Sequence, residues 1–274
     1  MDYVQITFPE ENGEMREILI ALLSEAGFES FQETDEQVFA FIPRQNYNEE
    51  SMKKSLEGSL FSDRTFEMGV ISEKNWNKLW EQNFEAVVIA GRCRVIAPFH
   101  TSSPAYPYEI IIEPQMSFGT AHHATTALMI EQMLEVDFHG KRVLDMGCGT
   151  GILAIFAAMK KAGRIIAIDN NLWAYQNTLH NMELNNIENI EVIEGEKEAI
   201  PAENLDIVLA NINRNVLLED IPAYVKKLAS GGLLLLSGFL EHDRERILEK
   251  CRENGLQSMH KLRKDDWIAE IFRK

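Results

Sequence analysis

The sequence predicts an α/β protein in two parts, a small α+β module followed by a larger doubly wound, Rossmann-like sheet. Three observations predict it. From Gly140 onward, apolar runs of strand length alternate regularly with helix-length segments. At the head of that region, Val143-Leu144-Asp145-Met146-Gly147-Cys148-Gly149-Thr150-Gly151 carries an apolar strand into a helical segment through glycine at every second position. That is the ordinary opening of a nucleotide-binding unit. Ahead of it, the first seventy or so residues run strand, helix, strand, strand, helix, strand, the order of a ferredoxin-like domain.

Bulk properties narrow the class. The 274 residues give room for two domains, and 45% hydrophobic with 26% charged content is that of a globular chain. Apolar runs fall far short of a membrane span, and Met1-Asp2-Tyr3 opens no signal peptide. Cys93, Cys148 and Cys251 are odd in number, far apart and lack a C-x-x-C pair, which supports neither a disulfide framework nor a zinc knuckle. A reducing cytoplasm is the expected setting. The histidines are scattered, and no metal-ligand pattern is present. A net charge of −16 argues against direct reading of nucleic acid, because neutralising phosphates needs a basic surface. It permits a basic substrate.

Taken in order, Val4, Ile6 and Phe8 alternate as a strand stopped by Pro9. Met15, Ile18, Leu19, Leu22, Leu23 and Ala26 share a helical face that ends at Gly27. Residues 28–34 and 38–42 read as a hairpin, 49–61 as a short helix and 65–71 as a strand. Residues 1–62 hold thirteen acidic side chains against four basic ones, a balance of −9, which suits docking of a basic macromolecule as well as plain solubility. Residues 1–62 are taken as the recognition domain and 63–85 as a connecting strand with a linker helix carrying Trp76 and Trp80. Residues 86–274 are taken as the larger, Rossmann-like domain.

That domain opens with strands at 86–90 and 93–97 about Gly91-Arg92, a proline-containing loop at 98–107 and a strand at 109–113. The polar segment 115–126 then leads into a helix marked by Leu128, Met129, Met133 and Leu134. Strands follow at 142–145, 165–169, 190–194, 205–211, 233–237, about 257–262 and 267–272. The last two lie too close for a crossover and must form an antiparallel hairpin. Seven strands with a terminal hairpin fit a methyltransferase sheet better than a nicotinamide-binding one.

The glycine stretch itself leaves two ligands open. From Gly149 it satisfies G-x-G-x-x-A, a dinucleotide fingerprint. From Asp145 it reads D-x-G-x-G-x-G, with an anion where a pyrophosphate would be disfavoured. S-adenosylmethionine carries no phosphate but a sulfonium and an ammonium, so Asp145 suits it, directly or through water. Gly147, Gly149 and Gly151 would let backbone approach its methionine portion. Asp169 ends the second strand, where an acid binds ribose hydroxyls in either case. Asn211 ends the fourth strand beside the loop and offers a neutral carbonyl that orients an amine without protonating it. Methyl transfer to an amine needs alignment and a deprotonated nitrogen. No side chain stands out as a general base.

Phe118-Gly-Thr-Ala-His-His-Ala-Thr-Thr126, Asp145-Met-Gly-Cys-Gly-Thr-Gly-Ile-Leu153, Asp169 and Ala210-Asn211-Ile212 together resemble the ribosomal protein L11 methyltransferases, and the resemblance spans the whole chain. It implies methylation of lysine ε-amines and the N-terminal α-amine of that large-subunit protein, recognised by the N-terminal domain of a monomer. It also implies that Thr126, Gly147, Asp169 and Asn211 contact S-adenosylmethionine, with Asn211, Phe118 and Thr120 facing the acceptor amine. The sequence departs from the family in having Ala121 where glycine is usual and Asn213 where leucine is common. Other readings are a methyltransferase for another protein or nucleobase amine, an NAD-dependent oxidoreductase, and a non-catalytic ribosome-associated binding protein.

Overall fold

Alternate burial along the first strand organises the N-terminal unit. In Tyr3–Pro9 (β1), Val4, Ile6 and Phe8 turn into a core while Tyr3 and Gln5 remain partly exposed. The computed structural model describes residues 2–9, 13–34, 37–62, 64–71, 85–113, 121–202 and 204–274. After β1 come a helix at Gly13–Glu25 (α1), strands Ser30–Glu33 (β2) and Gln37–Pro43 (β3), a helix at Glu49–Leu56 (α2) and a strand at Glu67–Ile71 (β4). The antiparallel sheet has the order β2-β3-β1-β4, the ferredoxin-like arrangement expected. Leu19, Leu23, Met52 and Leu56 cover one face of it. The α2 helix begins at Asn48, whose Oδ1 accepts the Ser51 N–H at 3.0 Å and so satisfies one of the orphan donors of the first turn.

One boundary moves. The strand expected to connect the domains pairs with β1 from Tyr3↔Ile71 to Thr7↔Glu67, so it completes the front sheet. The first unit accordingly extends to Phe84 and the second runs from Glu85 to Lys274. The linker helix expected around Trp76 and Trp80 lies outside the described residues.

The second unit begins with a separate three-stranded sheet of Val87–Ile89 (β5), Cys93–Ile96 (β6) and Tyr108–Ile111 (β7). β5 and β6 form the expected hairpin, whereas β6 and β7 are parallel, joined by the proline-containing loop without a helix. Then come Ala124–Glu135 (α3), Arg142–Met146 (β8), Ile152–Met159 (α4), Arg164–Asp169 (β9), Leu172–Leu184 (α5) and Ile190–Glu194 (β10). Leu205–Asn211 (β11), Arg214–Lys227 (α6), Leu228–Leu240 (β12), Arg244–Glu253 (α7), Gln257–Lys264 (β13) and Trp267–Arg273 (β14) complete the chain.

The large sheet has the order β10-β9-β8-β11-β12-β14-β13. It is parallel up to β12, and β14 then runs antiparallel to both β12 and β13. Its central strands are apolar on both faces, as parallel strands covered on two sides must be. Val143, Ile165, Ala167, Ile207, Leu209 and Leu235 face one core with α3 and α4. Leu144, Ile166, Ile168, Val208, Ala210 and Leu236 face the other with α6 and α7. The strand order reverses direction at β8 and β11, which places a crevice at their carboxyl ends.

Candidate active site

The glycine loop follows β8 into that crevice. Gly147 and Gly151 hold φ of +69° and +75°, a left-handed backbone that side chains disfavour, and neither has room for one. A Cβ on Gly147 would lie 2.3 Å from Ile212 Cγ2, and one on Gly151 would lie 2.6 Å from Thr178 Cγ2. Neighbouring elements fasten the loop. Ile168 O accepts from the N–H groups of Gly147 and Cys148 at 2.8 and 3.1 Å. Thr178 Oγ1 donates to Gly149 O at 3.1 Å, and Asn181 Nδ2 donates to Thr150 O at 2.9 Å. Cys148 is buried, and burial pushes its thiol far above the ordinary range, so it serves as packing.

Two carboxylates bind backbone at this turn, and Asp169 bears on the ligand class. Asp169 Oδ2 accepts the Gly149 N–H at 2.9 Å, and its Oδ1 accepts the Asn171 N–H at 3.0 Å. Asp145, only 1% exposed, turns its Oδ2 onto the Ala154 N–H at 3.0 Å. Burial pushes the Asp145 carboxyl up to about 7, with the Ala154 hydrogen bond opposing the rise and the charge of Asp169 adding to it. A donor that a pyrophosphate would need at this turn, the Gly149 N–H, is thus held by the chain's own acid. That arrangement suits a phosphate-free nucleoside whose ribose meets Asp169, and it fits S-adenosylmethionine better than a dinucleotide. Asp145 contributes from behind, as a cap for α4 and not as a surface that a ligand could touch.

Register brings the other expected residues to the same place. β11 pairs with β8 as Ala210↔Met146, so Asn211 stands opposite the start of the glycine loop. Asn211 Nδ2 donates to Thr126 Oγ1 at 3.3 Å, joining two of the predicted site residues. Among the described residues no donor is bonded to Asn211 Oδ1, which leaves that carbonyl to accept. Ile212 next to it is a wedge. Its side chain fills the space over Gly147, and its backbone lies against Gly238 near the end of β12, where a Cβ would meet Ile212 O at 2.1 Å. Asn213, the departure noted in the sequence, is the N-cap of α6, and its Oδ1 accepts the Val216 N–H at 3.2 Å.

On the opposite wall, Thr126 sits in the first turn of α3, whose cap is His123. The His123 ring nitrogen accepts from Thr125 N at 3.3 Å, and the ring meets Trp267 edge-on at 4.8 Å between centroids. Ala121 keeps a left-handed φ of +64°. The backbone conformation that glycine would adopt freely is therefore retained with alanine in place, at a strain of roughly 1 kcal/mol. Phe118 and Thr120 lie outside the described residues.

Sequence reasoning overlooked the wedge of Ile212 between Gly147 and Gly238, the His123 cap and the asparagine row of α5. The row left a signal, since Asn177, Asn181 and Asn185 recur at four-residue spacing. Asn181 Oδ1 also accepts the Glu113 N–H, and Asn185 Oδ1 the Ile111 N–H, each at 2.9 Å, tying β7 and the residues after it to the helix that holds the glycine loop.

A sheet of this order, with its acid-bearing glycine loop and asparagine at the fourth strand, defines a class I S-adenosylmethionine-dependent methyltransferase. Comparison with known proteins gives the particular family. The family description for ribosomal protein L11 methyltransferase (PrmA) matches residues 7–274, and the chain belongs to that family. It is 40% identical to the ribosomal protein L11 methyltransferase of Phocaeicola vulgatus over 278 aligned residues, covering 99% of each chain. The corresponding protein of Porphyromonas gingivalis is 42% identical, with 93% of this chain and 90% of that one covered. A crystal structure of ribosomal protein L11 methylase from Lactobacillus delbrueckii subsp. bulgaricus superposes with a TM-score of 0.66 at 26% identity. It covers 70% of this chain and all of that one.

Proposed function

We propose that this protein methylates ribosomal protein L11, transferring methyl groups from S-adenosylmethionine to lysine ε-amines and to the N-terminal α-amine. The observation that carries the reading is the convergence of Asn211, Thr126 and the glycine loop at the sheet's switch point, in a chain of this family. S-adenosylmethionine supplies a methyl carbon already activated by its positive sulfur. The residues of the chain do the rest by position. Asp169, oriented by Gly149 and Asn171, receives the ribose hydroxyls, and the backbone of Gly147–Gly151 accommodates the methionine portion. Thr126 holds the Asn211 amide so that Oδ1 accepts an N–H of the incoming amine, aiming its lone pair. A neutral acceptor does this without favouring the ammonium form, and exclusion of water lowers the amine pKa further. The displaced proton leaves to solvent.

The acidic front unit provides the docking surface for the basic substrate, Phe118 and Thr120 border the acceptor, and the enzyme acts as a cytoplasmic monomer without reading nucleic acid. No helix among the described residues is long and apolar enough to cross a membrane. Incubation with labelled S-adenosylmethionine and unmethylated ribosomal protein L11 tests the reading. Label on lysine and the N-terminus is expected, and none at saturating donor would overturn it.

A further inference from the structure

The α5 helix exposes large apolar side chains that neither core uses. Its inner face is filled by Ala174, Asn177, Thr178, Asn181 and Met182. Outward, Leu172, Trp173 and Leu179 are 50%, 76% and 37% exposed. A tryptophan three-quarters exposed is uncommon, since its large ring gains much by burial. Its backbone is tied to the site. Asp169 Oδ1 accepts the Asn171 N–H at 3.0 Å, and Asn171 Oδ1 accepts the Trp173 N–H at 2.8 Å, which links the Trp173 backbone through the N-cap to the proposed ribose ligand.

The neighbouring edge is acidic. β10 is the outermost strand of the sheet and pairs Glu194 with Asp169. Asn170 Nδ2 donates to Glu196 at 3.1 Å, which binds the turn before Trp173 to the segment after β10. Glu194, Glu196 and Glu198 are all exposed, and none forms an ion pair among the described residues. The single lysine between them, Lys197, is committed elsewhere, to Glu219 and to Asp220 at 2.9 Å.

We infer that Leu172 and Trp173 at the head of α5, with the adjoining glutamates, form a docking surface for lysine-bearing segments of the substrate protein on the catalytic unit itself. The chemistry of such a partner matches both halves. The alkyl stems of lysine and arginine lie along apolar surface, their charges meet carboxylates, and a cation over an indole gains further. Exposed tryptophans are also the side chains that most often dominate an interface. α5 starts at the carboxyl end of β9, the same edge of the sheet as Asn211, so a segment held there can present a neighbouring amine to Asn211. This inference rests on the proposed protein-methylating function.

Its test uses the full chain with intact ribosomal protein L11, read by steady-state kinetics, by direct calorimetric binding of that protein and by calorimetric binding of S-adenosylmethionine. Trp173→Ala is expected to raise KM and the substrate Kd about tenfold or more, with kcat and donor affinity little changed. A second variant, Glu194→Gln with Glu198→Gln, is expected to weaken the rise of KM with salt. Unchanged substrate binding in both variants overturns the inference. So does donor affinity falling in step with KM, which would make Trp173 a nucleoside contact. A loss of dimers in light scattering on Trp173→Ala would assign the face to a second copy and overturn it likewise. If the unaltered enzyme methylates no ribosomal protein L11, the functional reading fails, and the binding arm still decides whether this surface holds the protein.

Discussion

Asn211 Nδ2 donates to Thr126 Oγ1 across 3.3 Å, a bond between residues 85 positions apart that ties the end of β11 to the first turn of α3. With Nδ2 on Thr126, Oδ1 is the end of the Asn211 amide left to accept, and the proposed chemistry uses that carbonyl. Asn211→Ala is expected to lower kcat by about a hundredfold, on the scale of losing one oriented group at a reacting centre, while donor affinity stays within a few-fold. Thr126→Val removes only the anchor and should cost roughly three- to tenfold in kcat. Calorimetry beside single-turnover kinetics separates the two effects.

Asn211→Asp asks a different question. A carboxylate can still accept the amine N–H, but its charge favours the ammonium form and raises the acceptor pKa. The kcat profile of this variant should move to higher pH, recovering activity under alkaline conditions where Asn211→Ala does not. A profile parallel to the unaltered enzyme would contradict the neutral-acceptor role.

Asp145 makes a prediction about stability. Its carboxyl titrates near 7 in the folded protein, and near 4, roughly, when the chain is unfolded. Between those values the folded form binds a proton that the unfolded form has released, so this group's contribution to stability falls as pH rises through the window. It stays at its lowest above about 7. Asn at this position keeps an acceptor for the Ala154 N–H and has no proton to lose. The melting temperature of Asp145→Asn should therefore gain on that of the unaltered protein from pH 4.5 to 8, and a constant difference across that range would refute the assignment.

The two units predict the outcome of truncation. Each has its own core, and β4 belongs to the first, so a cut after residue 62 would strip the front sheet of an edge strand and leave that strand unsatisfied on the remainder. A chain of residues 85–274 is expected to fold and bind S-adenosylmethionine with near-native affinity, yet to lose methylation of ribosomal protein L11. Full activity of this fragment would remove the front unit from substrate recognition.

Much of this was legible because it is periodic. Val143–Asp145, Ile165–Asp169 and Leu205–Asn211 announce strands buried on both faces, and the short gap before Trp267 forces a hairpin. The glycine loop, Asp169 and Asn211 stood out because their chemistry sits at strand ends. What escaped notice depends on contacts between distant residues or on unusual local choices. His123 caps a helix where Ser, Thr, Asp or Asn is the rule. β6 and β7 run parallel across a loop with no helix to signal a crossover. Asp145 looked like a ligand because its burial and its bond to Ala154 appear only once α4 folds back over β8.

The wedge of Ile212 between Gly147 and Gly238 gives these three positions a shared fate. Gly238→Ala alone drives a methyl group into the Ile212 carbonyl at a left-handed φ of +90°, and a loss on the order of 2–4 kcal/mol is expected in thermal unfolding. A second substitution at Gly147 would strike a residue already displaced, so the two losses should add to less than their sum. Drift in one of the three is therefore tolerated only in company with the others. Part of what fixes the nucleoside loop in descendants of this chain resides 91 positions downstream of it, in a glycine of another strand.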